Sequence, residues 1–160
     1  MRTLTLMRHA KSSWNDPSLS DHDRPLNARG KRAAEMMACR MRDGGYRPDL
    51  VISSSAERAR ETVGYFRKCF ADVMVDVDGR LYDADVSVYP EIVRSLDASV
   101  RHLMIVAHNP VLETVAALLG EPDTVLPTAA YVRFAVPEKW EAFCLTPHRR
   151  LAYDFPKSSR

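Results

Sequence analysis

The chain has 160 residues, enough for one domain over 1–160, and its 46% apolar and 28% charged residues are ordinary for a globular protein. A formal net charge of +2 is too small to direct it to nucleic acid or an anionic membrane, so any strong positive potential must be local. No apolar run approaches a membrane span, and the N-terminus enters a strand without the apolar core of a secretory leader; this reads as a cytoplasmic protein.

Residues 1–7 are predicted as a strand, since Leu4, Leu6 and Met7 lie in a β-prone run that ends abruptly in Arg8-His9. Residues 14–30 form a loop rich in Asp, Ser and Pro, longer than most connections. Its stretch Asp21-His22-Asp23-Arg24-Pro25-Leu26 does not make a metal site by spacing alone, because hard cations need several ordered oxygen ligands. A helix starts at Asn27 or Ala28 and runs to about Asp43, with Ala33, Met36, Met37, Arg40 and Met41 at helical spacing. Gly44-Gly45 stops it.

Residues 49–53 read as a short buried strand. Ser54-Ser55-Ala56-Glu57 reads as a helix start with serine as the cap, and that helix buries Ala59, Val63 and Phe66 before ending near Phe70. Residues 73–77 alternate like a strand, and residues 89–96 form a short helix with Ile92, Val93 and Leu96 inward. The clearest buried strand, residues 102–107, ends in His108-Asn109-Pro110. Pro110 suits the first turn of a helix that reaches Leu119 and stops at Gly120. Residues 130–136 are a further strand, with edge strands at 140–145 and 150–155. Strands alternating with helices imply a three-layer α/β/α sandwich around a mostly parallel sheet. Cys39, Cys69 and Cys144, odd in number and widely spaced, make neither a disulfide framework nor a zinc pattern.

One event recurs along the chain. The first strand ends in Arg8-His9, the second in Ser53-Ser54 with Arg58 on the next helical turn, and a later one in His108-Asn109. Parallel strands put these ends on one edge, where α/β proteins bind ligands. Two guanidinium groups and two imidazoles, helped by helix N-termini, would then surround one anion, an arrangement that suits a dianionic phosphoryl group. Taken singly, Arg58 could be a solvated helix residue, Arg60 is a nearby decoy, and His108 could merely cap the helix at Pro110.

These segments resemble the histidine phosphatase superfamily, the phosphoglycerate mutase-like family. Its opening Arg-His-Gly, often followed by Glu-Ser-x-Trp-Asn, compares with Arg8-His9-Ala10-Lys11-Ser12-Ser13-Trp14-Asn15. Its Ser-Ser-x-x-Arg-Ala-x-x-Thr appears as Ser54-Ser55-Ala56-Glu57-Arg58-Ala59-Arg60-Glu61-Thr62, a register that selects Arg58 over Arg60. A strand ending in His appears at Ala107-His108, and Arg24-Pro25-Leu26 with Arg29-Gly30 matches a further element. Ala10 and Lys11 replace the family glycine and acid, which together with the short chain looks like the SixA-like phosphohistidine phosphatase branch.

The resemblance implies a phosphoglycerate mutase-like fold and a two-step transfer through a phosphohistidine on His9. Arg8, Arg58 and a protonated His108 would hold the equatorial oxygens, with Asn15 and Ser12 as further substrate contacts, and no metal or other cofactor. It implies as substrate a phosphorylated protein, such as a histidine phosphocarrier, or a small phosphate ester. Larger members carry a general-acid carboxylate; here Asp83, Asp85 and Glu91 fall in the corresponding interval, none in a convincing motif. The rival readings are a non-catalytic phosphate-binding module on the same fold and a mutase. A nucleotide-binding protein is a third, but the chain lacks a Gly-rich fingerprint after its first strand.

Overall fold

The computed structural model describes residues 1–157. Its strands are β1 (Arg2–Arg8), β2 (Leu50–Ser53), β3 (Met74–Val77), β4 (His102–Ala107), β5 (Tyr131–Val136) and β6 (Arg150–Asp154). Its helices are α1 (Ala28–Asp43), α2 (Glu57–Cys69), α3 (Val88–Arg94) and α4 (Val111–Leu118). The sheet runs β3-β2-β4-β1-β5-β6. The first four of these strands are parallel; β5 and β6 extend the sheet by antiparallel pairing. Arg8 lies opposite Ala107 and Ser53 opposite Val106, so β1, β2 and β4 end together on one edge.

The sheet is apolar on both faces, as a parallel sheet covered by helices must be. Leu4, Leu6, Ile52, Leu103 and Ile105 face Tyr89, Ile92, Val93, Leu112, Val115 and Ala116 of α3 and α4. Met7, Val51, Met104 and Val106 face Ala34, Met37, Ala38 and Met41 of α1 and Ala59, Val63 and Phe66 of α2. Fully burying a large apolar side chain such as Phe66 contributes about 1.5–3 kcal/mol. The predicted sandwich is therefore the observed one.

Several local expectations change. Residues 140–145 do not make a strand: Trp140–Ala142 is a 3-10 turn. Trp140 is inserted in the core at 1% exposure, and its Nε1–H donates to the Val100 carbonyl at 2.7 Å. A buried indole needs that partner, which a turn supplies here. No serine caps α2; its N-cap is Ala56, and Ser54 Oγ instead accepts the Ala56 N–H at 3.2 Å. Pro110 is the N-cap of α4, one position before the first turn. Helix α3 is shorter than its apolar spacing suggests, ending at Arg94.

The start of α1 matters for the site. Asn27 caps it by accepting the Gly30 N–H at 2.8 Å. A Cβ on Gly30 would lie 2.0 Å from the Lys11 carbonyl oxygen, so the helix can approach the chain after β1 only because residue 30 is glycine. The Asn27 N–H donates to that same carbonyl at 3.0 Å. Cys39 and Cys69 are free thiols on α1 and α2, with their Sγ atoms 3.8 Å apart.

Candidate active site

The end of β1 is fixed from both sides. The Arg8 N–H donates to the Ala130 carbonyl at 2.9 Å, and the His9 N–H donates to the Ala107 carbonyl at 3.1 Å. The Ala129 N–H donates to the carbonyls of both Arg8 and His9. Ala129 has φ +66°, a left-handed conformation that costs a non-glycine residue about 1–2 kcal/mol. One residue on, the Ala10 N–H donates to Thr62 Oγ1 at 3.0 Å, and that hydroxyl donates to the Arg58 carbonyl at 2.8 Å. Thr62 thereby ties the end of β1 to the first turns of α2.

A cleft of about 320 Å³ opens at this edge, lined by Arg8, His9, Lys11, Ser12, Trp14, Arg24, Arg58, His108, Asn109 and Thr128. The structure thus brings Arg8, His9, Arg58 and His108 together. The rings of His9 and His108 lie 5.0 Å apart. Arg60 points away and pairs with Glu57, at 57% side-chain exposure. Ser12 is in the cleft wall, where its Oγ accepts from Arg24 Nη1 at 2.8 Å. Asn15 is not brought to the cleft: it is exposed, and its backbone N–H donates to Ser13 Oγ at 3.1 Å.

His9 is buried, and two contacts define its tautomer. Nδ1 lies 2.7 Å from the Ala10 carbonyl, which can only accept, so Nδ1 carries the proton. Arg58 Nε–H donates to Nε2 at 3.3 Å, which requires a lone pair there. Burial above all pushes the His9 pKa down to about 3; its Ala10 hydrogen bond opposes this, and His108, Arg58 and Arg8 reinforce it. The imidazole is therefore neutral at pH 7, with its free electron pair directed toward the guanidinium.

Burial followed by Arg58 also pushes the His108 pKa down, to about 4, so without a bound anion its ring is neutral at pH 7. Its Nε2 is 2.7 Å from Ser54 Oγ. Since Ser54 Oγ accepts from Ala56, its own proton can go to His108 Nε2, leaving the ring proton on Nδ1. Among the described residues, Arg8 Nε and His108 Nδ1 are buried without a hydrogen-bond partner. Buried donors of this kind fit an incoming anion.

The sequence reading missed Asp21. Arg58 Nη1 donates to the Asp21 carbonyl at 2.7 Å and Nη2 to Oδ2 at 3.1 Å. Arg24 reaches Asp21 Oδ1, at 3.2 Å from Nη2, and the Tyr82 hydroxyl donates to Oδ2 at 2.7 Å. Chiefly through the Tyr82 hydrogen bond and then Arg58, the Asp21 carboxyl is held down at about 2. It is thus an anionic clamp on two cleft arginines. His22 turns instead to Ser55 Oγ at 2.9 Å. Among the described residues, no group of three His, Cys, Asp or Glu side chains is placed to hold a metal.

None of the three carboxylates considered as acids lines the cleft. Glu91 pairs with Arg80, Asp85 accepts from the Val86 N–H and the Ser87 hydroxyl, and Asp83 is exposed.

A family model for the histidine phosphatase superfamily (branch 1) matches residues 4–98. The chain belongs to the histidine phosphatase superfamily. It is 33% identical over 165 residues to an uncharacterized chloroplastic protein of Arabidopsis thaliana, covering 91% of this chain and 72% of that one. A candidate phosphohistidine phosphatase SixA from Agrobacterium tumefaciens is 29% identical with a TM-score of 0.80, covering 95% of this chain and 96% of that one. A protein histidine phosphatase SixA solved with tungstate shares the fold at a TM-score of 0.83 and 21% identity, over 96% and 97% of the two chains. This histidine phosphatase stands in the SixA-like branch, and its membership supports a phosphatase acting on a phosphorylated substrate. No helix among the described residues is long and apolar enough to cross a membrane.

Proposed function

We propose that the chain hydrolyses phosphoryl groups through a covalent phosphohistidine on His9, acting on protein phosphohistidine, such as that of a histidine phosphocarrier, or on a small activated phosphoester. The observation that carries this reading is the state of His9: neutral, protonated on Nδ1, with the Nε2 lone pair beside Arg58 in a cationic cleft. Phosphoryl transfer has a loose transition state, with charge spread over three equatorial oxygens. Its catalysis is mostly positioning and electrostatics. Nε2 attacks phosphorus in line; the N–P bond forms as the bond to the leaving atom breaks. Arg8 and Arg58 hold the equatorial oxygens. An incoming dianion opposes the depressed pKa of His108, which takes up a proton and becomes a third cationic donor. Water then attacks phosphorus, the P–Nε2 electrons return to His9, and inorganic phosphate leaves with the proton balance made by solvent.

The leaving group decides the substrate class. Asp21 is ionised and bound to two arginines, and the other carboxylates considered lie outside the cleft. An alkyl phosphate needs a proton on its departing oxygen. A phosphoimidazole protonated on its other ring nitrogen departs as a neutral ring, and an aryl oxide departs without needing a proton, which favours phosphohistidine or an aryl phosphate over a sugar phosphate.

Trapping tests the covalent step. Labelled substrate should leave an acid-labile, alkali-stable phosphate on the wild type and none on His9→Ala, whose turnover should be lost with its fold intact. Substantial turnover by folded His9→Ala overturns covalent catalysis. A wild type that binds phosphate and turns over neither phosphohistidine protein nor aryl phosphate would instead be the non-catalytic module.

A further inference from the structure

A second cavity adjoins the cleft. It measures about 470 Å³ and shares Lys11 and Thr128 with the catalytic cleft. Its floor is apolar, made by Ala33, Pro127, Phe155 and Pro156. Its cations are Lys11, Arg29, Arg32 and Lys157, all exposed. Among the described residues none of these four takes part in an ion pair, whereas Arg24, Arg58 and Arg150 do.

Their placement has a local penalty. Arg29 and Arg32 sit in the first turns of α1, together with Lys31, and that first turn holds no acid. A helix N-terminus carries partial positive charge and favours acids, so basic residues there oppose the helix dipole. Local rules broken without local compensation concentrate at functional or strained sites. A greasy floor under unpaired cations rejects a basic or fully apolar occupant. It suits a segment with carboxylates at its margins and apolar side chains between them.

We propose that this groove receives an acidic segment of a phosphoprotein substrate, adjoining the residue whose phosphoryl group enters the cleft. This rests on the reading of a phosphorylated protein as substrate. The groove binds; it takes no part in the bond changes at His9. Its contribution is therefore to KM and to the choice among phosphoproteins.

The probes are two synthetic phosphohistidine peptides that differ only in three flanking residues, all Glu in one and all Gln in the other, with an aryl phosphate as control. The wild type should prefer the Glu peptide in kcat/KM by about tenfold at low salt, the yield of a few exposed charge pairs. The preference should shrink in 0.5 M salt, where screening acts within about 4 Å. In the Arg32→Glu/Lys157→Glu double variant it should vanish through KM, with kcat and aryl phosphate hydrolysis unchanged. Equal kcat/KM for the two peptides, or a preference that survives in the double variant, overturns the docking. Hydrolysis of aryl phosphate with neither peptide turned over overturns the protein-substrate reading itself, and the docking with it.

Discussion

Replacing Gly30 by alanine separates helix propensity from site geometry. Residue 30 is in the first turn of α1, where propensity alone makes Ala better than Gly by about 1 kcal/mol. The geometry predicts the opposite sign. The new Cβ would stand 2.0 Å from the Lys11 oxygen and 2.9 Å from its carbon and nitrogen. These are backbone atoms, so one segment must shift by more than about 1 Å to restore van der Waals separation. Overpacking of this kind costs about 1–3 kcal/mol, and in a chain of this length that lowers Tm by roughly 3–10 °C. The displaced segment follows Ala10, whose carbonyl orients His9, so activity should fall with stability. A misplacement of about 1 Å at a reacting group costs about 100-fold in rate. Thermal unfolding and aryl phosphate kinetics on Gly30→Ala read both quantities. A Tm at or above wild type with unchanged kcat would refute the claim that close approach, not helix propensity, governs this position.

Further outcomes follow from the site. Asp21→Asn weakens the hold on Arg58, and kcat should fall by about 10–100-fold with a small change in Tm, as expected when a donor is less well aimed; full activity would show that Arg58 needs no clamp. Both cleft histidines have pKa values depressed by folding, to about 3 and about 4, so the unfolded chain binds their protons first. Stability should be full above about pH 6.5 and decline as pH falls through 6 toward 4, a loss that His9→Ala should reduce; denaturant titrations across that range measure it. For the same reason kcat/KM, corrected for ionisation of the substrate phosphate, should show no nucleophile titration near pH 6.5. A limb near pH 6.5 in that corrected wild-type profile, persisting in His108→Gln, would contradict the depressed pKa of His9.

The sandwich was legible because each buried strand is a short apolar run and each helix carries a 3.6-residue stripe. The convergence of Arg8, His9, Arg58 and His108 followed from parallel strands ending at one edge. The rest depended on contacts remote in sequence. Asp21 meets Arg58 across 37 positions, and nothing in Asp21-His22-Asp23 distinguishes the clamp from a solvated acid. Ser54 looked like a helix cap because serine caps are common, yet its hydroxyl is engaged by His108 and the Ala56 N–H. Asn15 matched a motif by spacing, but the turn after Ser13 carries it into solvent. The depressed pKa of His108 could not be read either, since burial sets it and burial is a property of the assembled edge.

The backbone of His9 is held by β4 on one side and by the turn before β5 on the other. A proposed nucleophile anchored on both sides cannot drift to meet an awkward substrate, so accommodation falls to the rim. There Trp14 is 76% exposed, with the Arg24 guanidinium 3.4 Å from its ring centre. Lys11 stands beside it in the lining of the cleft. Rim side chains of this sort can change what the protein accepts while leaving the reaction at phosphorus as it is. Diversification of such a scaffold would then leave its record at the margin, with the centre held constant.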